Sequence, residues 1–166
     1  MKIYMFKHYT VTDNIFNKII FYNEKITSDS VELEAELQQI SNKYGFSPKI
    51  IDVIYENDKA TINMEYINEK CLYYKYGKYE EDIPEFIWDQ IRDKLRILYE
   101  EEGIQYVDIT PYNFIEKNGV VHIIDFGHAD YTYEVEDEED AEIDEFLKDF
   151  LEGANEWNYD YYDYYA

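Results

Sequence analysis

Only one cysteine, Cys71, occurs in the 166 residues, so there is no internal disulfide framework. It has no Cys or His neighbour at zinc-ligand spacing, and a reducing, intracellular compartment is expected. Basic side chains are scarce toward the C-terminus, where Lys148 is the one Lys or Arg after Lys117. The formal net charge is -23. Such a field repels phosphate backbones and acidic membranes while drawing basic proteins, polyamines and divalent cations. It disfavours nucleic acid and membrane as partners and favours a protein substrate or a basic protein partner. Long apolar runs are missing too, and the opening MKIYMFKHYTVTDN has neither an apolar core nor a small-residue cleavage site. The expectation is a soluble, unsecreted, cytoplasmic chain, or one in the host cytoplasm if the source is viral.

What is present suffices for one compact domain, at 46% hydrophobic residues. The 20 tyrosines, with many Ile, Asn and Lys, suggest the coding bias of an AT-rich genome. Ile3, Met5 and Tyr9 alternate loosely, and Ile19 to Tyr22 form a β-prone run, which predicts two strands joined at Thr12-Asp13-Asn14. Ser28-Asp29-Ser30 offers caps, with Asp29 and Glu32 at capping-box spacing, for a helix carrying Leu33, Leu37, Ile40 and Tyr44 to near Gly45. PKIIDVIYE and KATINMEYI read as a hairpin turned at Asn57-Asp58. After a tyrosine-rich connection, Pro84 opens a helix with an apolar stripe of Phe86, Ile87, Ile91, Leu95 and Leu98, ending at Gly103. A short strand, a loop and a hairpin turned at Asn118-Gly119 follow. Ile143, Phe146, Leu147 and Phe150 predict a helix from Asp137 to Leu151, and the tail NEWNYDYYDYYA shows neither helical nor strand period.

The chemistry concentrates in D-I-T-P-Y-N, eleven residues, then D-F-G: Asp108, Asn113 and Asp125. Phosphoryl transfer needs a carboxylate that orients and deprotonates an incoming hydroxyl, and oxygen ligands that hold magnesium against nucleotide phosphates. A short loop and an adjacent hairpin can converge these three side chains with little backbone freedom. Gly127 is expected to permit a tight bend after Asp125.

Residues 104 to 129 resemble the catalytic loop and D-F-G motif of the protein-kinase-like superfamily, including its small RIO-like and aminoglycoside-phosphotransferase relatives. The resemblance implies an α+β, two-lobed fold with a much reduced N-terminal lobe and a short, mainly helical C-terminal lobe. It implies one domain over residues 1–166: an N-lobe with hinge at 1–67, a C-lobe at 68–153 and an acidic tyrosine-rich tail at 154–166. ATP and Mg2+ are the implied cofactors. Asp108 resembles the catalytic base, and Asn113 and Asp125 the metal ligands; Tyr106-Val107 replaces the usual His-Arg before the aspartate. Glu34 resembles the helix glutamate that pairs with a strand lysine, with Glu36 as alternative. Lys18, sixteen positions earlier, is the lysine candidate beside its rivals Lys7 and Lys25. Met64 takes the gatekeeper place, and Glu65, Tyr66 and Ile67 resemble the hinge that binds adenine. Phe126 and Gly127 complete the nucleotide-side set.

Two family parts are missing. No glycine precedes Gly45, so there is no G-x-G-x-x-G loop to cover phosphates, and no long activation segment or A-P-E motif follows Gly127. Both gaps suit compact atypical kinases. The function implied is an ATP-dependent phosphotransferase, a minimal atypical protein Ser/Thr kinase. The alternatives are a pseudokinase or binding module that engages a basic partner through its acidic C-terminal surface, or a small-molecule kinase of aminoglycoside or choline type. Asp137 or Asp140 could brace the catalytic loop from below, whereas His122, His128 and Cys71 are given no catalytic role.

Overall fold

The computed structural model describes residues 8–132 and 143–165. Its first half is a four-stranded antiparallel sheet, in the order Tyr9–Thr12, Ile15–Phe21, Lys59–Glu65 and Ile50–Tyr55, with one helix over it. Strands β1 (Tyr9–Thr12) and β2 (Ile15–Phe21) meet at the expected turn. There Asp13 and Asn14 both take left-handed conformations, with φ 51° and 65°, which match the twist of a two-residue hairpin. Ile3 and Met5 lie outside the described residues.

Helix α1 (Ser28–Lys43) starts two residues earlier than the Asp29/Glu32 box suggests. Thr27 is the N-cap, and its N–H donates to Ser30 Oγ at 3.1 Å, while Asp29 falls inside the first turn. Strands β3 (Ile50–Tyr55) and β4 (Lys59–Glu65) form the expected hairpin. Ala60, Ile62 and Met64 alternate inward along β4 and meet Val31 and Ala35 of α1 in a small core. Leu37, two residues further along α1, is buried instead in the larger core of the second half. A backbone bond from Ile123 N–H to Phe46 O, 2.8 Å, adds a second tie between the halves.

The second lobe is mainly helical. The tyrosine-rich connection contains helix α2 (Leu72–Lys75) and a 3-10 turn, Glu80–Asp82. Helix α3 (Glu85–Glu102) begins after Pro84 and ends on Gly103 at φ 65°. Its stripe differs from the expected one at a single place: Phe86 is 46% exposed and Trp88, 1% exposed, fills the core. Strand β5 (Ile104–Gln105) pairs with β8 (Asp130–Tyr131), and β6 (Phe114–Lys117) with β7 (Val120–Ile123) across the Asn118-Gly119 turn. Helix α4 (Glu145–Leu151) is capped by Asp144, whose carboxylate accepts from Leu147 N–H at 3.0 Å. Residues 137–142 of the expected helix lie outside the described residues.

The tail contradicts the expectation of irregular chain. Trp157 is wholly buried, with its ring centroid 4.4 Å from that of Trp88, and helix α5 (Tyr159–Tyr165) follows. Tyr162 packs edge-on against Tyr112, 5.7 Å between centroids, and donates to Lys78 O at 3.0 Å. Tyrosine supplies both an apolar ring and a polar tip, so a helix of Tyr and Asp can be held by tertiary packing without an aliphatic stripe.

Candidate active site

Lys18 stands opposite Ile62 in the β2–β4 ladder, and directly paired antiparallel residues share a face. Ile62 points into the core, so Lys18 points there too. On α1, Glu34 shares the buried face of Val31, Ala35, Gln38 and Ser41, at the three- and four-residue spacing of one helix side. The two charges meet, with Lys18 Nζ 2.7 Å from Glu34 Oε2 and 3.3 Å from Asp125 Oδ1 of the second lobe. The rivals do not share this place. Lys25 and Glu36 are exposed, Glu36 accepts from Tyr131 OH at 2.8 Å, and Lys7 lies outside the described residues.

Burial lowers the Lys18 ammonium's pKa, but Asp125 and then Glu34 outweigh it and raise the ammonium above its ordinary range. Burial pushes the Glu34 carboxyl up, partly offset by Lys18. The two tendencies pull in opposite senses across one ion pair. Lys18 is protonated, because one cation here faces two carboxylates, and the excess negative charge makes the place attractive to a further cation.

Asp125 follows β7, and the chain turns back just after it at Gly127-His128. Gly127 N–H donates to Asp125 Oδ1 at 2.8 Å. Gly127 has ordinary negative-side backbone geometry, so the expected bend is not what requires glycine. A Cβ there would lie 2.9 Å from Glu34 Oε1 and 3.1 Å from Asp125 Oδ1, so its role is to leave room for the two carboxylates. Phe126 is buried edge-on against Tyr106, 5.3 Å between centroids at 76°. Burial, then the charges of Asp108, Asp125 and Glu34, push the Tyr106 phenol well up.

The loop carrying Asp108 closes on itself. Asn113 Nδ2 donates to Asp108 O at 2.8 Å, and Asn113 N–H to Thr110 O at 3.2 Å. Ile124 N–H donates to Asn113 O at 3.1 Å, which sets Asn113 beside the residue preceding Asp125. Asn113 and Asp125 thus offer an amide and a carboxylate as hard oxygen donors. This donor set fits magnesium, which binds few protein ligands and completes its shell with substrate phosphates and water.

Two partners of this loop were not identified from sequence. His128 Nδ1 lies 2.7 Å from Asp108 Oδ2, and that hydrogen bond raises the imidazole's pKa against the opposing effect of burial. Asn158 clamps the loop from the C-terminal segment: its N–H donates to Ile109 O and its Nδ2 to Val107 O, both at 2.8 Å. The expected braces, Asp137 and Asp140, lie outside the described residues.

At the expected hinge, Met64 is buried. Glu65 N–H donates to Lys49 O at 2.9 Å and Tyr66 N–H to Asn14 O at 3.3 Å, whereas Ile67 N–H donates to no backbone carbonyl among the described residues.

A family model of the protein kinase domain matches residues 2–150, most of the chain, and the chain belongs to that family. No curated protein matches it at a significant level. Membership supports a phosphotransferase, with ATP the donor typical of the family. No helix among the described residues is long and apolar enough to cross a membrane.

Proposed function

We propose that the chain is a minimal, atypical protein Ser/Thr kinase that transfers the γ-phosphoryl group of ATP in the presence of Mg2+. The observation that carries this reading is the Lys18 ammonium placed between Glu34 of one lobe and Asp125 of the other. Phosphoryl transfer depends chiefly on positioning and charge, and a cation held at that junction suits nucleotide phosphates. Asn113 and Asp125 would hold the metal. Bound there, Mg2+ would neutralise charge developing on the phosphates. Lys18 would steady the same phosphates, with Glu34 keeping its ammonium in place. The backbone of Glu65, Tyr66 and Ile67 would receive adenine, with the Ile67 amide as donor, while Phe126 and Gly127 hold the Asp125 turn in shape.

Asp108 would orient the acceptor hydroxyl and take its proton. The net charge of -23 favours a basic protein as acceptor, encountered in the cytoplasm. Asp108→Asn should remove phosphoryl transfer to a basic protein while leaving the fold and nucleotide binding unchanged. A variant that transfers at the wild-type rate would remove Asp108 from this role.

A binding module is the second reading, favoured by the absence of any glycine before Gly45 and hence of a phosphate-covering loop. It predicts no transfer by the wild type and no difference on Asp108→Asn.

A further inference from the structure

The Asp108 side chain is only 1% exposed, and a carboxylate so deeply placed needs a good donor. The resemblance leads one to expect a basic residue immediately before it, but Val107 stands there. Lys18 is already drawn to Glu34 and Asp125. A basic ring arrives instead from 20 residues downstream, with His128 Nδ1 2.7 Å from Asp108 Oδ2. The turn that delivers it is closed by Ala129 N–H donating to Phe126 O at 3.1 Å. From the other side the ring meets Tyr161 of α5, 5.0 Å between centroids at 45°. Tyr161 lies beyond residues 2–150, the part of the chain that the kinase family model matches.

We propose that His128 is a positioning residue for Asp108: its imidazole holds Oδ2 and fixes the plane in which the carboxylate meets an acceptor hydroxyl, with Tyr161 as the wedge behind it. The inference rests on the phosphotransferase reading above. In the transfer, a bond forms between the acceptor oxygen and the γ-phosphorus, and the bond from that phosphorus to the bridging oxygen breaks. ADP leaves with that electron pair, and the acceptor's proton passes to Asp108. His128 touches none of the reacting atoms. A base held by a third group is the recurring way in which proton-transfer sites are aligned. The groups facing the imidazole are Asp108 from the catalytic loop, Asp125 from the turn after β7, Glu34 from α1 and Tyr161 from α5.

The test uses the full chain, Mg·ATP and histone as a basic protein acceptor, comparing wild type with His128→Ala and His128→Asn. Asparagine is chosen because its amide nitrogen stands as far from Cβ as the imidazole Nδ1. His128→Ala should lower kcat about 10- to 100-fold, less than the roughly 100- to 10,000-fold that the positioned base itself contributes, with the KM for ATP unchanged. His128→Asn should recover most of the loss. Wild-type kcat in His128→Ala, equal losses in the two variants, or a loss confined to the KM for ATP would overturn the proposal.

Histidine NMR titration tests the pairing without turnover, and so also covers a His128→Ala chain that fails to fold. The His128 ring should titrate at lower pH in Asp108→Asn than in the wild type, and an unchanged titration overturns the pairing. A wild type that transfers no phosphate overturns the kinase reading itself. In that event the NMR comparison still decides whether His128 and Asp108 are joined.

Discussion

Lys18 faces two buried carboxylates with one charge, and this imbalance governs the site at the scale of single residues. Removing the cation would leave Glu34 and Asp125 buried against each other, so Lys18→Met should destabilise the fold by about 3–5 kcal/mol, read from urea unfolding. A change within experimental error would mean that the two acids are not buried as described. His128 gives a pH signature. Its folded-state pKa is raised by the bond to Asp108, so its contribution to stability is complete below the unfolded value of about 6.5 and is lost as pH rises through the higher folded value. The melting-temperature difference between wild type and His128→Ala should therefore shrink as pH rises from about 6.5 through the folded-state value. A difference that holds constant or grows over that range contradicts the assignment. The D-I-T-P-Y-N and D-F-G motifs, with the resemblance they carry, point to Asp108, Asn113 and Asp125, and a loop and a neighbouring hairpin carry all three. His128 escaped notice because only the return of the chain after β7 brings it back to a loop 20 positions earlier.

Elements with an aliphatic period were legible at once: α1, α3 and the hairpins β3–β4 and β6–β7 lie where hydrophobic spacing and the turn pairs place them. Helix α5 was not, since Tyr-Asp-Tyr-Tyr-Asp-Tyr-Tyr has no aliphatic residue to mark a face, and seven residues form no stable helix without support. That support is tertiary. Trp157 anchors the segment on Trp88, and Asn158 then reaches both Val107 and Ile109 of the catalytic loop. Trp157→Ala should accordingly cost about 3–5 kcal/mol by chemical denaturation, the usual range for an emptied aromatic site. A loss below about 1 kcal/mol, as for a surface substitution, would show that the segment does not dock. The misplaced cap of α1 has a simpler cause: Thr27, Ser28, Asp29 and Ser30 can all cap, and the sequence alone does not say which one turns out of the helix.

At the scale of the whole molecule, α1 belongs to both halves, giving Val31 and Ala35 to the small core and Leu37 to the large one. It carries Glu34 at the same time, so the helix that joins the lobes also holds the lysine that reaches Asp125 of the second lobe. The two-lobed arrangement was legible through the resemblance that residues 104 to 129 carry, whereas the distances that make a site came only from the fold. The central claim is that side chains of both lobes form one site for a magnesium nucleotide. Thermal unfolding with ATP and Mg2+, each alone and together, tests it most directly, comparing wild type with Asp125→Asn. A ligand of the folded state must stabilise it, by about 2.7 kcal/mol at a hundred times Kd. The wild type should melt higher with ATP and Mg2+ together than with either alone, and Asp125→Asn should lose the part that needs the metal. Identical melting of the wild type with and without Mg·ATP at millimolar concentration would contradict the account.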